Sequence, residues 1–79
     1  MEGELQKRFG LNLRAYRVEK KLSQEKFAEL IGVHRTYMGG VERGERNLTL
    51  KSAERIAARI DVDPLELLRP PAPPATPAK

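Results

Sequence analysis

The stretch HRTYMGGVERGERN, His34 to Asn47, concentrates the side chains in this sequence that can do selective chemistry. Arg35, Thr36 and Tyr37 are consecutive hydrogen-bond donors, and an arginine fork can engage two acceptors of one planar partner at once. Arg43, Arg46, Asn47, Thr49, Lys51 and Ser52 add donors and positive charge, set against Glu42 and Glu45. This is chemistry for holding an anion or reading a pattern of acceptors, not for making and breaking bonds. The single histidine has no serine–carboxylate set to work with, and without cysteine or a second histidine no metal site can be assembled. Gly39, Gly40 and Gly44 do not form a phosphate-cradling loop, because no strand pattern precedes them and the G-x-x-x-x-G-K-[ST] order is absent. Neither an enzyme nor a cofactor is expected.

The elements that must position these donors are helical. Leu5, Phe9, Leu13 and Tyr16 form an amphipathic stripe that predicts a helix from about Leu5 to Lys20, interrupted by Gly10 and so firmest after Leu11. Ser23 is the N-cap of a second helix carrying Phe27, Ala28, Leu30 and Ile31, and Gly32 ends it in a left-handed conformation. A third begins at about His34, and two short helices joined by so tight a turn form a helix-turn-helix unit. Thr49 caps a fourth, with Leu50, Ala53, Ile56, Ala57 and Ile60 on one face. Asp63-Pro64 starts a last short helix, Leu65 to Arg69, with Glu66 placed as in a capping box. No run of residues alternates as a strand does, so the fold class is all-α.

The sequence therefore divides into an ordered domain, residues 1–69, and a Pro/Ala-rich tail, 70–79, half of it proline and expected to be disordered. The tail formally contains a PxxP spacing, which nothing else in the sequence supports as a ligand. Seventy-nine residues bury only about 60% of their unfolded surface, so stability is marginal unless a partner chain assists. The absence of cysteine fits a reducing compartment. MEGELQKR carries charge where a signal peptide needs an apolar run, and no segment approaches the roughly 18 apolar residues of a membrane span. A cytoplasmic protein without a membrane partner or a small-molecule substrate is expected. The net charge of +4 is compatible with nucleic acid and equally with proteins that never meet it.

The segment LSQEKFAELIGVHRTYMGGVERGERNLTL resembles the Cro/C1-type (XRE-type) helix-turn-helix family, through its LSQ start, its G-V turn and a helix ending in E-R-G. The resemblance runs from about Phe9 to Leu68. Within that family, the pattern R-T-Y-x-x-x-x-E-R-x-x-R-N-L-T looks most like the controller proteins of bacterial restriction–modification systems. It implies a five-helix, Cro/C1-repressor-like domain, a homodimer, and a palindromic double-stranded DNA operator beside the protein's own gene. Repression and activation are both compatible with it, and activation would add RNA polymerase as a partner. An antitoxin-type protein of the same fold, which binds a partner protein and autoregulates its operon, is the alternative.

In such a unit the second helix lies in the major groove and its N-terminal residues meet base edges. Arg35, Thr36 and Tyr37 stand there, and a bidentate arginine–guanine contact discriminates by about 1–3 kcal/mol. Their other readings are a solvated charge for Arg35 and packing on the domain face for Tyr37. Ser23 and Gln24 open the helix expected over the DNA backbone, where free N–H groups suit a phosphate. The resemblance places Arg43, Arg46, Asn47, Thr49, Lys51 and Ser52 along the backbone as well. It also assigns Arg17 and Glu42 to an internal ion pair, which removes the objection that Glu42 would repel phosphate. By the same resemblance Ile60, Val62, Leu65, Leu67 and Leu68 are the dimer surface, their other reading being completion of the monomer core. His34 sits at an N-cap, either as an incidental neutral cap or near a phosphate. Gly39-Gly40 is the anomaly, since each mid-helix glycine costs about 1 kcal/mol against alanine. Their bare backbone is expected to approach the groove closely, leaving more of the discrimination to DNA shape; the other reading is a weakness carried by tertiary packing.

Overall fold

The computed structural model describes residues 3–71 and contains five helices and no strand among them. They are α1 (Glu4–Glu19), α2 (Gln24–Ile31), α3 (Arg35–Glu42), α4 (Leu50–Arg59) and α5 (Pro64–Leu67). The expected tail lies, beyond Pro71, outside the described residues.

The helix boundaries follow from side chains that satisfy the first free N–H groups. Ser23, Thr49 and Asp63 each take up the extended backbone of an N-cap and accept from Lys26 N, Ser52 N and Leu65 N respectively. Gly32, at φ +88°, ends α2 with its N–H donated to the Ala28 carbonyl. Glu66 does not complete a capping box: its carboxylate turns forward to Arg69, 3.2 Å away.

Phe9, Leu13, Phe27, Ala28, Ile31, Met38, Val41, Ala53, Ile56, Ala57, Ile60 and Leu67 form one buried core. α1 packs on α3 and α5, α2 on α3 and α4, and α4 on α5. Gly10, read from the sequence as an interruption of α1, is instead the point where α1 meets α3. A Cβ there would lie 2.3 Å from the Val41 carbonyl oxygen and 2.7 Å from that of Glu42. Helix propensity is given up at Gly10 so that the two backbones can touch.

Two apolar positions leave the faces expected of them. Leu5 and Leu50 are 57% and 82% exposed. Each stands at the outer end of its helix's stripe, and together with Leu48 and Leu68 they flank one shallow apolar cleft rather than entering the core. The five-residue apolar group at the chain's end also divides. Ile60 and Leu67 are buried in the core, Val62 and Leu68 are half-buried against it, and only Leu65 faces outward, 67% exposed. A dimer surface made of all five is therefore corrected: Ile60 and Leu67 are spent inside the monomer.

Candidate nucleic-acid interface

Three residues, Gly32, Val33 and His34, separate α2 from α3. His34 caps α3 by accepting the Thr36 N–H at Nδ1, 3.1 Å, which leaves its ring proton on Nε2. This local bond fixes the direction in which the helix start projects. Arg35 and Thr36 are exposed there, and Arg35 has no ion-pair partner among the described residues. Tyr37 is half-buried and belongs to both faces of its expected duality: its ring packs on the core, and the Arg46 guanidinium lies over it, 5.4 Å from the ring centre.

Arg46 explains one glycine. A Cβ on Gly40 would come within 2.9 Å of Arg46 Cγ and 3.1 Å of Nε, so the arginine stem lies flat on the bare helix and reaches Tyr37. Gly39 is covered in turn by the Arg43 guanidinium and stands near Gln24 Oε1, at 3.1 Å and 3.7 Å from a Cβ built there. Both glycines are thus buried by the chain's own side chains. The expected open backbone at Gly39 and Gly40 is corrected: the space over them is already occupied by arginines from the following loop.

That loop and the start of α4 carry the remaining donors. Arg43 is exposed and paired with Glu45 at 3.0 Å. Asn47 and Lys51 are exposed. Thr49 Oγ1 accepts from Ser52 N and donates to Ser52 Oγ, both at 3.0 Å, so the Ser52 hydroxyl proton remains available for an outside acceptor.

Behind the donors is a buried node. Arg17 donates twice to the Glu42 carboxylate, at 2.7 Å from Nε and 3.0 Å from Nη2, and its Nη1 donates to the Leu22 carbonyl at 3.0 Å. Gln24 Nε2 adds a third bond to Glu42, at 3.0 Å. The node ties α1, the start of α2 and the end of α3, which fixes the angle at which α3 presents its N-terminus. It takes one of the two Gln24 amide protons, and the other remains for an outside acceptor. Ser23 stays exposed, but its hydroxyl oxygen is the cap acceptor for Lys26 N at 3.1 Å.

The helix-turn-helix profile HTH_3 matches residues 13–67, a span that includes every helix described here except the first turns of α1. The chain belongs to the helix-turn-helix family. Control protein C.SmaI of Serratia marcescens is 47% identical over 57 residues, covering 72% of this chain and 68% of that protein. Control protein C.BamHI of Bacillus amyloliquefaciens is 43% identical over 61 residues, covering 76% of this chain and 75% of its own. The crystal structure of the restriction–modification controller protein C.AhdI from Aeromonas hydrophila superposes with a TM-score of 0.70 at 47% identity, over 78% of this chain and 94% of that one. The family is one of DNA-binding regulators rather than enzymes.

Within this helix-turn-helix domain, sequence reasoning missed Asn12. Its Nδ2 donates to the carbonyls of Leu67 and Arg69, at 2.8 Å and 2.9 Å, and so closes the C-terminal end of α5 onto α1. A polar residue on a helix carries no local sign that it will satisfy carbonyls more than fifty positions away. Arg55 was missed as well; it sits on α4 one turn beyond Ser52 and borders the same side of the domain as Tyr37.

Proposed function

We propose that this protein is a sequence-specific transcription regulator that binds a palindromic operator as a homodimer and controls a restriction–modification operon. The observation that carries the reading is the division of α3. Its end is locked by the Arg17–Glu42–Gln24 node, while its start projects Arg35 and Thr36, exposed and without internal ion pairs, beside the Tyr37–Arg46 stack. A helix held this way can place a guanidinium against a base edge without first breaking a contact of its own. Arg46, Lys51 and Ser52 stand alongside as donors for phosphates, which set register without reading sequence. The similarity to the restriction–modification controller protein C.AhdI, beside the two control proteins, supports the operon assignment over an antitoxin.

The second copy is supported by apolar surface. Leu65 is exposed, Val62 and Leu68 are half-buried, and Leu68 also lines the cleft flanked by Leu5, Leu48 and Leu50. A chain this small has little reason to leave so many leucines uncovered. An isologous contact would place the two α3 helices about one DNA turn, roughly 34 Å, apart. RNA polymerase is the further partner if the bound dimer activates.

Selection of binding sites from random double-stranded DNA tests the reading. An inverted repeat, bound by two copies, is expected. Enrichment of a site without two-fold symmetry would remove the homodimer, and no enrichment would remove sequence-specific binding altogether.

A further inference from the structure

A cleft of about 220 Å³ opens between the α2–α3 turn, α3 and α4, lined by Ile31, Val33, Tyr37, Ser52, Arg55 and Ile56. Its walls are unlike in chemistry. Ile31 and Ile56 are buried core residues that keep water from the floor, whereas Tyr37, Ser52 and Arg55 supply a phenol, a hydroxyl and a guanidinium. Arg55 is exposed and has no ion-pair partner among the described residues, although four other arginines of the domain are paired with carboxylates. The Ser52 oxygen already receives the Thr49 hydroxyl proton, so its own proton is free to be donated. Among the described residues these three donors have no internal acceptor, and they line a recess whose volume admits a phosphate group.

We infer that this cleft is a phosphodiester-binding notch, in which Arg55 holds a backbone phosphate of the DNA strand flanking α3. The guanidinium fork engages two phosphate oxygens, and the Ser52 hydroxyl donates to the same group. The apolar floor strengthens these bonds by excluding competing water. Because Tyr37 lines the notch and also carries Arg46, a phosphate seated there positions the base-reading end of α3. The inference rests on the DNA-binding reading above and extends the interface beyond the residues that reading uses.

The test uses the full chain, with a duplex carrying the selected operator and a random-sequence duplex, each titrated over a salt series. Arg55→Ala is expected to weaken binding to both duplexes by the same several-fold factor. It should also reduce the slope of log K against log salt by about 0.9 for each bound copy, about 1.8 for a dimer, the value for one B-DNA phosphate per copy left without its cation. Arg55→Lys should retain the slope while losing part of the affinity. Arg8→Ala removes the same charge from α1 and should leave the slope as in the wild type, which separates a local phosphate bond from net charge. A wild-type slope in Arg55→Ala, or a weakening confined to the operator duplex, overturns the notch while leaving DNA binding in place. A wild-type protein that binds neither duplex overturns both readings.

Discussion

Glu42→Ala should be among the most damaging single changes in the domain. The carboxylate is 2% exposed and accepts three bonds, two from an Arg17 side chain that is itself only 12% exposed. Its removal leaves a nearly buried guanidinium with the Leu22 carbonyl as its remaining partner, and frees the Gln24 amide. Deleting one member of a buried pair destabilises by about 3–5 kcal/mol, and the slight exposure of Arg17 places this pair near the lower limit, about 3 kcal/mol. In a domain of this size 1 kcal/mol moves the melting temperature by about 4–8 °C, so a fall of about 12–24 °C is expected. Urea unfolding followed by circular dichroism gives the free energy directly. It must be run at one fixed protein concentration, because self-association would otherwise shift the midpoint. Arg17→Met combined with Glu42→Leu should recover much of the loss, since the harm lies in the uncompensated charge more than in the absence of the pair. A loss in Glu42→Ala below about 1 kcal/mol, the value of an exposed pair, would refute the argument that this node holds α3. A double variant no better than the single would assign the damage to packing.

Four shorter expectations concern other positions. Gly10→Ala gains about 1 kcal/mol of helix propensity but drives a methyl into two carbonyl oxygens, a backbone clash that costs typically 1–3 kcal/mol or more; net destabilisation in urea is expected, and a stabilised variant would show that α1 and α3 can separate freely. Gly40→Ala meets only the flexible Arg46 side chain, so stability should hold or rise by up to about 1 kcal/mol while operator affinity falls with the displaced arginine, measured by melting and gel shift on the same samples. Arg35→Ala should leave the melting curve intact and relax base preference at one position of each half-site, by about 1–3 kcal/mol; unchanged preference everywhere in a mutated-operator series would end its base-reading role. Leu65→Glu places a charge on the most exposed leucine of α5 and should shift the sedimentation profile to the monomer with the fold retained; an unaltered dimer would move the interface elsewhere.

What the sequence made legible was the local physics. Ser23, Thr49 and Asp63 mark helix starts because a short polar side chain answers N–H groups two or three residues away, and Gly32 marks a stop because of its own φ. What stayed hidden depends on which distant group arrives at a position. Gly10 and Gly40 look alike as helix weaknesses, yet one admits a backbone and the other a side chain. Gln24 carries donors suited to phosphate, and only the fold brings Glu42 within their reach. In α5, four residues are too few for a periodicity to separate the buried Leu67 from the exposed Leu65.

The unequal halves of α3 have a consequence for how such a protein can change its target. Met38 to Glu42 are buried, whereas Arg35 and Thr36 touch little besides their own cap. On the proposed reading, the letters that would read DNA and the letters that hold the helix are therefore written on different turns of one element. New side chains at positions 35 and 36 can be tried without repacking the interior, so a retargeted copy need not pass through an unfolded intermediate. Two such regulators with different operators could then diverge within one cell and remain insulated from each other by a few exposed side chains. Position 37 is the exception: its ring is shared with Arg46, and exchanging it alters the seat of a second exposed donor at the same stroke.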